Sequence, residues 1–394
     1  MQGRQYLQVP GPTNIPDRIL RSLSQPLINH RGPEFAGLVA DCLSGLKRVF
    51  RTQDDILIFP SSGSGALESA VVNLFSPGDR IIAVCMGLFS ERMAVIAERH
   101  GLQVQRLEKE WGLAVKPQEI RELLERDCAR EIRAVCLPQN ETASGVVNDI
   151  PAVTRAIADC GHPAIVIVDA VSSLACVPFE MDAWGIDVAV SASQKGLMLP
   201  PGLGMVALSS RSWEMVAGSR SHRWYWDYKA VKQKLQDSQF PYTPATSLLF
   251  GLREALAMLE EEGLEGVWER HKLMAQAVRS GAVAMGLALL AEPFHQSDAV
   301  TAIRMPPGLA YADLAELLRS RYRVIVGEGL ERLRGKIFRI SHMGAIHMPE
   351  IFAVMGSVEL ALRELGYRVE IGSANRKVGE TFFRSAASRG LSED

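Results

Sequence analysis

Much of the vocabulary of specialised proteins is missing from these 394 residues. Six cysteines lie scattered at Cys42, Cys85, Cys128, Cys136, Cys160 and Cys176, and none forms a CxxC pair. That spacing excludes a disulfide framework and a ribbon-type metal site, and it fits reduced thiols in a cytoplasmic protein. No apolar run approaches the roughly 18 residues that a membrane helix requires, so no membrane partner is expected. The opening Met1–Leu7 has neither a charged start nor a long apolar stretch behind it, so no signal peptide is read there. The net charge is only −2, too close to balance for the basic footprint of a nucleic-acid binder. The dinucleotide fingerprint GxGxxG is absent. The Ser/Gly run at 61–65 is not followed by Lys-Ser/Thr, so it is no P-loop either.

What remains is an ordinary globular composition, 47% hydrophobic and 22% charged, in a chain long enough for two domains. Its most informative residue is Lys195. The small apolar run Val188–Ser193 reads as a buried strand that delivers Gln194 and Lys195 to a Gly/Leu/Pro loop. An unpaired ammonium at the end of a buried strand is costly unless the amine is held covalently, as in a Schiff base. Upstream, Ile165–Val168 runs into Asp169, an acid at the mouth of a second apolar strand. Taken singly, the lysine reads as a solvated loop residue and the aspartate as a turn former or cap. Together they make the layout of a pyridoxal phosphate site, with an amine for the cofactor's aldehyde and a carboxylate for its ring nitrogen.

From about residue 40 to 210, helical patterns alternate with short apolar runs. Strands are expected at Ile56–Phe59, Arg80–Cys85, Val104–Leu107, Ala134–Leu137, Ile165–Asp169, Val188–Ser191 and Gly204–Ala207. Helices are expected at Glu68–Leu74, Glu91–His100, Gln118–Glu125 and Ile150–Asp159. This is an α/β pattern, a mainly parallel seven-stranded sheet flanked by helices. Ligands of such sheets bind beyond the carboxyl ends of the strands. Lys195, Asp169 and the Asn140-Glu141-Thr142 turn all fall there. Residues 211–245 break the rhythm with the aromatic run Trp224-Tyr225-Trp226-Asp227-Tyr228. An amphipathic stretch from Ser247 to Met285 then leads to strands at Val300–Met305, Arg323–Val326 and Lys336–Ser341 of a smaller C-terminal α+β domain. Residues 377–394 read as helical or frayed.

Three further constellations complete the pattern. The turn Ser61-Ser62-Gly63-Ser64-Gly65 opens a helix, and backbone N–H groups with hydroxyls beside them bind anions, although many such turns only cap a helix. Phe89, after the strand ending at Cys85, is placed either to stack on a flat ring or to fill the core. Arg339 sits inside the apolar run Lys336–Ser341, where a guanidinium needs an internal partner or a substrate carboxylate.

In this order, these motifs resemble the class V, fold type I aminotransferases, specifically the serine–glyoxylate and alanine–glyoxylate branch. The similarity runs from Val9–Pro16, through Asn140–Gly145, Asp169–Ser173 and Ser193–Gly196, to Tyr242–Pro244 and Gly335–Ile340. The resemblance implies an N-terminal segment, residues 1–16, lining the site and the dimer seam, a large cofactor domain at 17–260 and a small domain at 261–394. It implies pyridoxal 5'-phosphate as cofactor, held by Lys195 and paired at its ring nitrogen with Asp169. Val171 and Phe89 would cover the ring faces, and Thr142 would approach the ring hydroxyl. Ser62, Gly63, Ser64 and Gln194 would hold the phosphate, with Tyr242 and Thr243 reaching it from a partner subunit of a homodimer. Arg339 would bind the substrate carboxylate. Asn14, in the N-terminal lining, would contact the substrate. Arg31, in His30–Pro33, is either a reader of a second carboxylate or a structural ion-pair member.

The implied activity moves an amino group from a small L-amino acid, serine or alanine, to an oxo acid such as glyoxylate. Two departures bear on specificity: Gln139 stands where relatives often carry His, and the run 223–228 differs from theirs. Rival readings are a transaminase using aspartate or an unusual amine, and a lyase of the cysteine desulfurase type. The lyase needs a thiol in the second half of the chain, where no cysteine follows Cys176, and usually a His in place of Gln194. A cofactor carrier without catalysis would not need Lys195, Asp169 and Arg339 together.

Overall fold

A computed structural model of the chain describes residues 5–388. Seven strands form one sheet in the order Asp55–Phe59, Gly204–Leu208, Val188–Ala192, Ile165–Asp169, Ile132–Pro138, Arg80–Cys85 and Gln103–Glu108. Six run parallel, and Gly204–Leu208 is antiparallel to both of its neighbours. Central strands such as Val188–Ala192 are buried at every position, as a sheet covered on both faces requires. The edge strand Gln103–Glu108 alternates instead, because one of its faces meets water.

The expected strands fall within a residue or two of these bounds. Helix starts differ more. The helix expected from Glu68 begins at Gly63, and the one expected from Glu91 begins at Leu88. Their first turns are Gly, Ser and aromatic residues, which carry little helical pattern but are supplied with caps. Ser62 Oγ accepts from Gly65 N–H, and the Glu141 carboxylate accepts from Ser90 N–H at 2.9 Å. The stretch Ser247–Met285 is two helices, Thr246–Glu262 and Leu264–Ala284, divided at Gly263 with φ +76°. The irregular region 211–245 contains the helices Ser210–Gly218 and Tyr228–Leu235. Tyr228 is fully buried there, its hydroxyl 2.9 Å from Ser69 Oγ.

A second sheet is ordered Tyr6–Gln8, Val324–Glu328, Ile337–Ser341 and Val300–Arg304. Tyr6–Gln8 runs parallel to Val324–Val326, so the N-terminal segment contributes a strand to the C-terminal sheet. Two main hydrophobic cores exchange along the helix Leu264–Ala284. Val267 and Trp268 pack into the large core, while Met274 and Val278 belong to the small one. The changeover thus falls within this helix, between Trp268 and Met274. The C-terminal helix runs from Ser373 to Ser388, and the rest of the expected 377–394 segment lies outside the described residues.

Candidate active site

The carboxyl edge of the large sheet gathers the turns that matter. Asp169 is the last residue of its strand, Lys195 follows Val188–Ala192, and Ser62 follows Asp55–Phe59. The turns after Arg80–Cys85 and Ile132–Pro138 bring in Phe89, Asn140 and Thr142. Between them lies a cavity of about 310 Å³, lined among others by Gly11, Ser62, Gly63, Ser64, Phe89, Arg92, Thr142, Asp169, Val171, Gln194 and Lys195.

Lys195 is 9% exposed, and its Nζ donates to the Pro10 carbonyl. The loop carrying it is stitched to the N-terminal segment, since Thr13 Oγ1 donates to Lys195 O at 3.1 Å. A Cβ on Gly11 would collide with the Lys195 side chain, so the close approach needs glycine. Burial, with Arg339 adding like charge, lowers the Lys195 amine to about 8. Asp169 is held by Val171 N–H on Oδ1 at 2.9 Å, and burial pushes its carboxyl up to about 6. At pH 8 the acid is therefore ionised while the lysine is divided between its two forms.

The helix Gly63–Leu74 points its N-terminus at the cavity. A Cβ on Gly63 would stand 2.8 Å from Val171 Cγ2, so only glycine brings this backbone so near the cavity wall. Ser64 Oγ accepts from Arg92 Nη1 at 2.9 Å, and the same guanidinium lies 5.0 Å from the centroid of the Phe89 ring. Gln194 Oε1 is buried and finds no hydrogen-bond partner among the described residues. Gln139 is also buried. Its Nε2 donates to Pro178 O, and its Oε1 has no partner among the described residues.

Arg339 is only 6% exposed, and it stands behind the cavity rather than in its lining. Nε and Nη2 donate to Glu328 O, and Nη1 donates to Thr142 O at 2.9 Å. Burial lowers the guanidinium to about 10, with Glu141 opposing the shift. Four other singled-out residues are also outside the lining. Asn14 turns its Nδ2 to Leu7 O, and Arg31 Nη1 donates to Phe240 O at 2.6 Å, a carbonyl rather than a carboxylate. Tyr242 and Thr243 border a small groove beside Tyr225 and Phe59. Arg92, in contrast, is not among the residues that stand out in the sequence, and Glu141 stands out only as a member of its turn. With the helix start placed at Glu91, the i, i+3 spacing of Phe89 and Arg92 on one face was hidden.

The aminotransferase class-V family pattern matches residues 5–340 of the chain. The chain belongs to this family. It is 42% identical over 378 residues to a serine–glyoxylate aminotransferase of Methylorubrum extorquens, covering 94% of each chain. It is 38% identical over 390 residues to an L-aspartate–glyoxylate aminotransferase of Paracoccus denitrificans, covering 98% of each. Among solved structures it superposes on the pyridoxamine–pyruvate aminotransferase of Mesorhizobium loti with a TM-score of 0.91, at 28% identity and 97% coverage of both chains. The fold is thus that of the fold type I enzymes, and the chain is an aminotransferase dependent on pyridoxal phosphate. The cavity suits that group. A glycine-opened helix N-terminus offers its N–H groups to the cavity, Phe89 and Val171 offer apolar surface, Gln194 has an unspent oxygen, and a carboxylate and a half-neutral amine complete the set.

Proposed function

We propose that this class V aminotransferase takes the amino group of a small L-amino acid, serine or alanine first, and passes it to glyoxylate by a ping-pong route. The observation that carries this reading is the 42% identity to a serine–glyoxylate aminotransferase across 94% of both chains. A second donor, aspartate, is favoured by the equally complete match to the L-aspartate–glyoxylate enzyme.

When bound, pyridoxal phosphate supplies an aldehyde carbon that accepts nitrogen and a conjugated ring that stores the electron pair left by a departing α-proton. Lys195 Nζ would hold that aldehyde end and, when free, would carry a proton between the substrate's Cα and the carbon that bore the aldehyde. An amine lowered to about 8 suits both directions of transfer near neutral pH. Asp169, ionised above about 6, would hold the proton on the ring nitrogen through a charge-assisted bond worth roughly 1.5–3 kcal/mol. Ser62, Gly63, Ser64 and Gln194 would hold the phosphate, Val171 and Phe89 would cover the ring faces, and Thr142 would approach the ring hydroxyl. Arg339 has one N–H left on each terminal nitrogen after its bonds to Glu328 and Thr142, a pair suited to the substrate α-carboxylate.

The working unit is a homodimer. What supports this is that Tyr242 and Thr243, assigned to the phosphate by resemblance, stand outside the cavity of their own chain.

A half-reaction screen tests the function. The loaded enzyme is mixed with one amino donor at a time, without acceptor, and the bound cofactor's visible absorbance is followed. Rapid loss with serine or alanine is the expected outcome. Conversion by aspartate alone moves the assignment to the second donor, and no conversion by any α-amino acid overturns it.

A further inference from the structure

The helix Leu88–Arg99 approaches the cavity with its first turn, and two side chains of one face, Phe89 and Arg92, line it. That start is rigidly defined. The Glu141 carboxylate is fully buried and accepts from Ser90 N–H, Ser90 Oγ and Ala143 N–H at 2.9–3.0 Å. A Cβ on Gly87 would overlap that carboxylate, so the turn closes on it with no room to shift. Anchored in this way, Arg92 places its guanidinium over the Phe89 ring and donates through Nη1 to Ser64 Oγ.

The bond decides more than the place of Ser64. A serine hydroxyl has a single hydrogen and otherwise accepts. Arginine is always a donor, so in this pair the serine oxygen can only accept, and its own hydrogen must point elsewhere. Ser64 lies in the first turn of the helix Gly63–Leu74 and lines the cavity, so the cavity is the place where that hydrogen finds an acceptor. A phosphate ester with a second pKa near 6 arrives carrying close to two charges and offers only acceptors.

We propose that Arg92 is a positioning residue of the phosphate cradle, which turns the Ser64 hydroxyl hydrogen outward to meet the cofactor's phosphate. The inference rests on the pyridoxal phosphate reading and adds to it a residue that touches the cradle from the opposite wall. Its chemical signature is selectivity. Arg92 should matter for the phosphorylated cofactor and not for the same ring without phosphate.

The test compares binding of pyridoxal phosphate and pyridoxal to the cofactor-free protein, followed by absorbance or quenching of tryptophan fluorescence. Arg92→Met keeps an apolar stem over Phe89 and removes the donor. It should weaken pyridoxal phosphate about tenfold or more, equivalent to about 1.4 kcal/mol, and leave pyridoxal within about twofold. Because Arg92 acts through Ser64, adding Arg92→Met to Ser64→Ala should cost little beyond Ser64→Ala alone. Equal losses for both ligands, or losses that simply add, overturn the proposal. Should Arg92→Met fail to fold, Arg92→Leu carries the same test, and its phosphate-ester loss must exceed its pyridoxal loss. If the unsubstituted protein binds pyridoxal as tightly as pyridoxal phosphate, the cradle itself is misassigned and the inference falls with it. If it binds the phosphate ester preferentially and Arg92→Met changes nothing, only the role of Arg92 is lost.

Discussion

The wall of the Lys195 cavity and the aromatic run around Trp224 were both conspicuous in the sequence, yet the fold treats them in opposite ways. Lys195 and Thr142 are buried: Lys195 is tied to the Pro10 carbonyl, the Thr142 carbonyl to the Arg339 guanidinium, and Asp169 at its strand end to Val171 N–H. Trp224 is 73% exposed, and Tyr225 and Tyr242 stack at 5.0 Å on the surface. Tyr242 spends its hydroxyl on Trp224 O at 2.9 Å. The first region is set by strand ends whose partners are fixed by the core. The second is a surface that holds itself together and leaves its outer face for whatever docks there. The contrast teaches that the cavity residues are fixed by distant parts of the fold, while the aromatic run is held largely by contacts within itself and with Tyr242.

The sharpest way to break this comparison is Lys195→Ala. Losing the proton carrier should reduce turnover by at least ~10²–10⁴-fold, with the circular dichroism spectrum unchanged. Near-normal turnover in that variant would remove Lys195 from the reaction.

Next in size is Arg339→Lys, which keeps the charge and loses the planar fork. KM for α-amino acids should rise by about tenfold or more, a loss in the range of one charge-assisted bond, while kcat changes less. Arg339→Ala is a poorer probe, because it strands the carbonyls of Glu328 and Thr142 and adds a stability loss of about 1–3 kcal/mol. Identical kinetics for Arg339→Lys with every donor would place the carboxylate clamp elsewhere.

A pH series sharpens the interior side. Only the neutral Lys195 amine can add to an aldehyde, and its folded pKa is depressed from 10.5 to about 8. Cofactor uptake by the cofactor-free protein should therefore quicken as pH rises through about 8 and level off above it. A midpoint near 10 in stopped-flow uptake would show that burial does not govern this amine.

The smallest effect belongs to the surface. Trp224→Ala should leave stability within about 0.5 kcal/mol, as is usual for exposed positions. Its signature is a change of severalfold in the ratio of kcat/KM between serine and aspartate. An unaltered ratio would separate the aromatic run from donor choice.

The two regions also differ in how far the sequence disclosed them. The seven large-sheet strands could be read within a residue or two, because runs such as Val188–Ala192 are buried on both faces and need unbroken apolar residues. Asp169 and Lys195 stood out because a charge ending such a run demands a partner. Helix starts at Gly63 and Leu88 were hidden, since their first turns are stabilised by Ser62 and by the distant Glu141 rather than by propensity. Arg92 was hidden with them. Nothing local distinguishes an arginine that faces solvent from one that reaches Ser64, 28 positions earlier in the chain.

By itself, then, the order of residues determined the α/β alternation, the strand-end acid and amine, and the glycine-opened turn at Ser62–Ser64. Each of these is written in local burial and local conformational need. Only tertiary structure decided that Gly204–Leu208 runs antiparallel, that Tyr6–Gln8 joins the C-terminal sheet, and that the Pro10 carbonyl receives Lys195. It also set Arg339 behind Thr142 and left Tyr242 and Thr243 outside their own chain's cavity. A pattern of apolar and polar residues states that a group must be buried or bonded. Which distant atom does the burying or bonding depends on how whole elements pack, and no short stretch of chain carries that information.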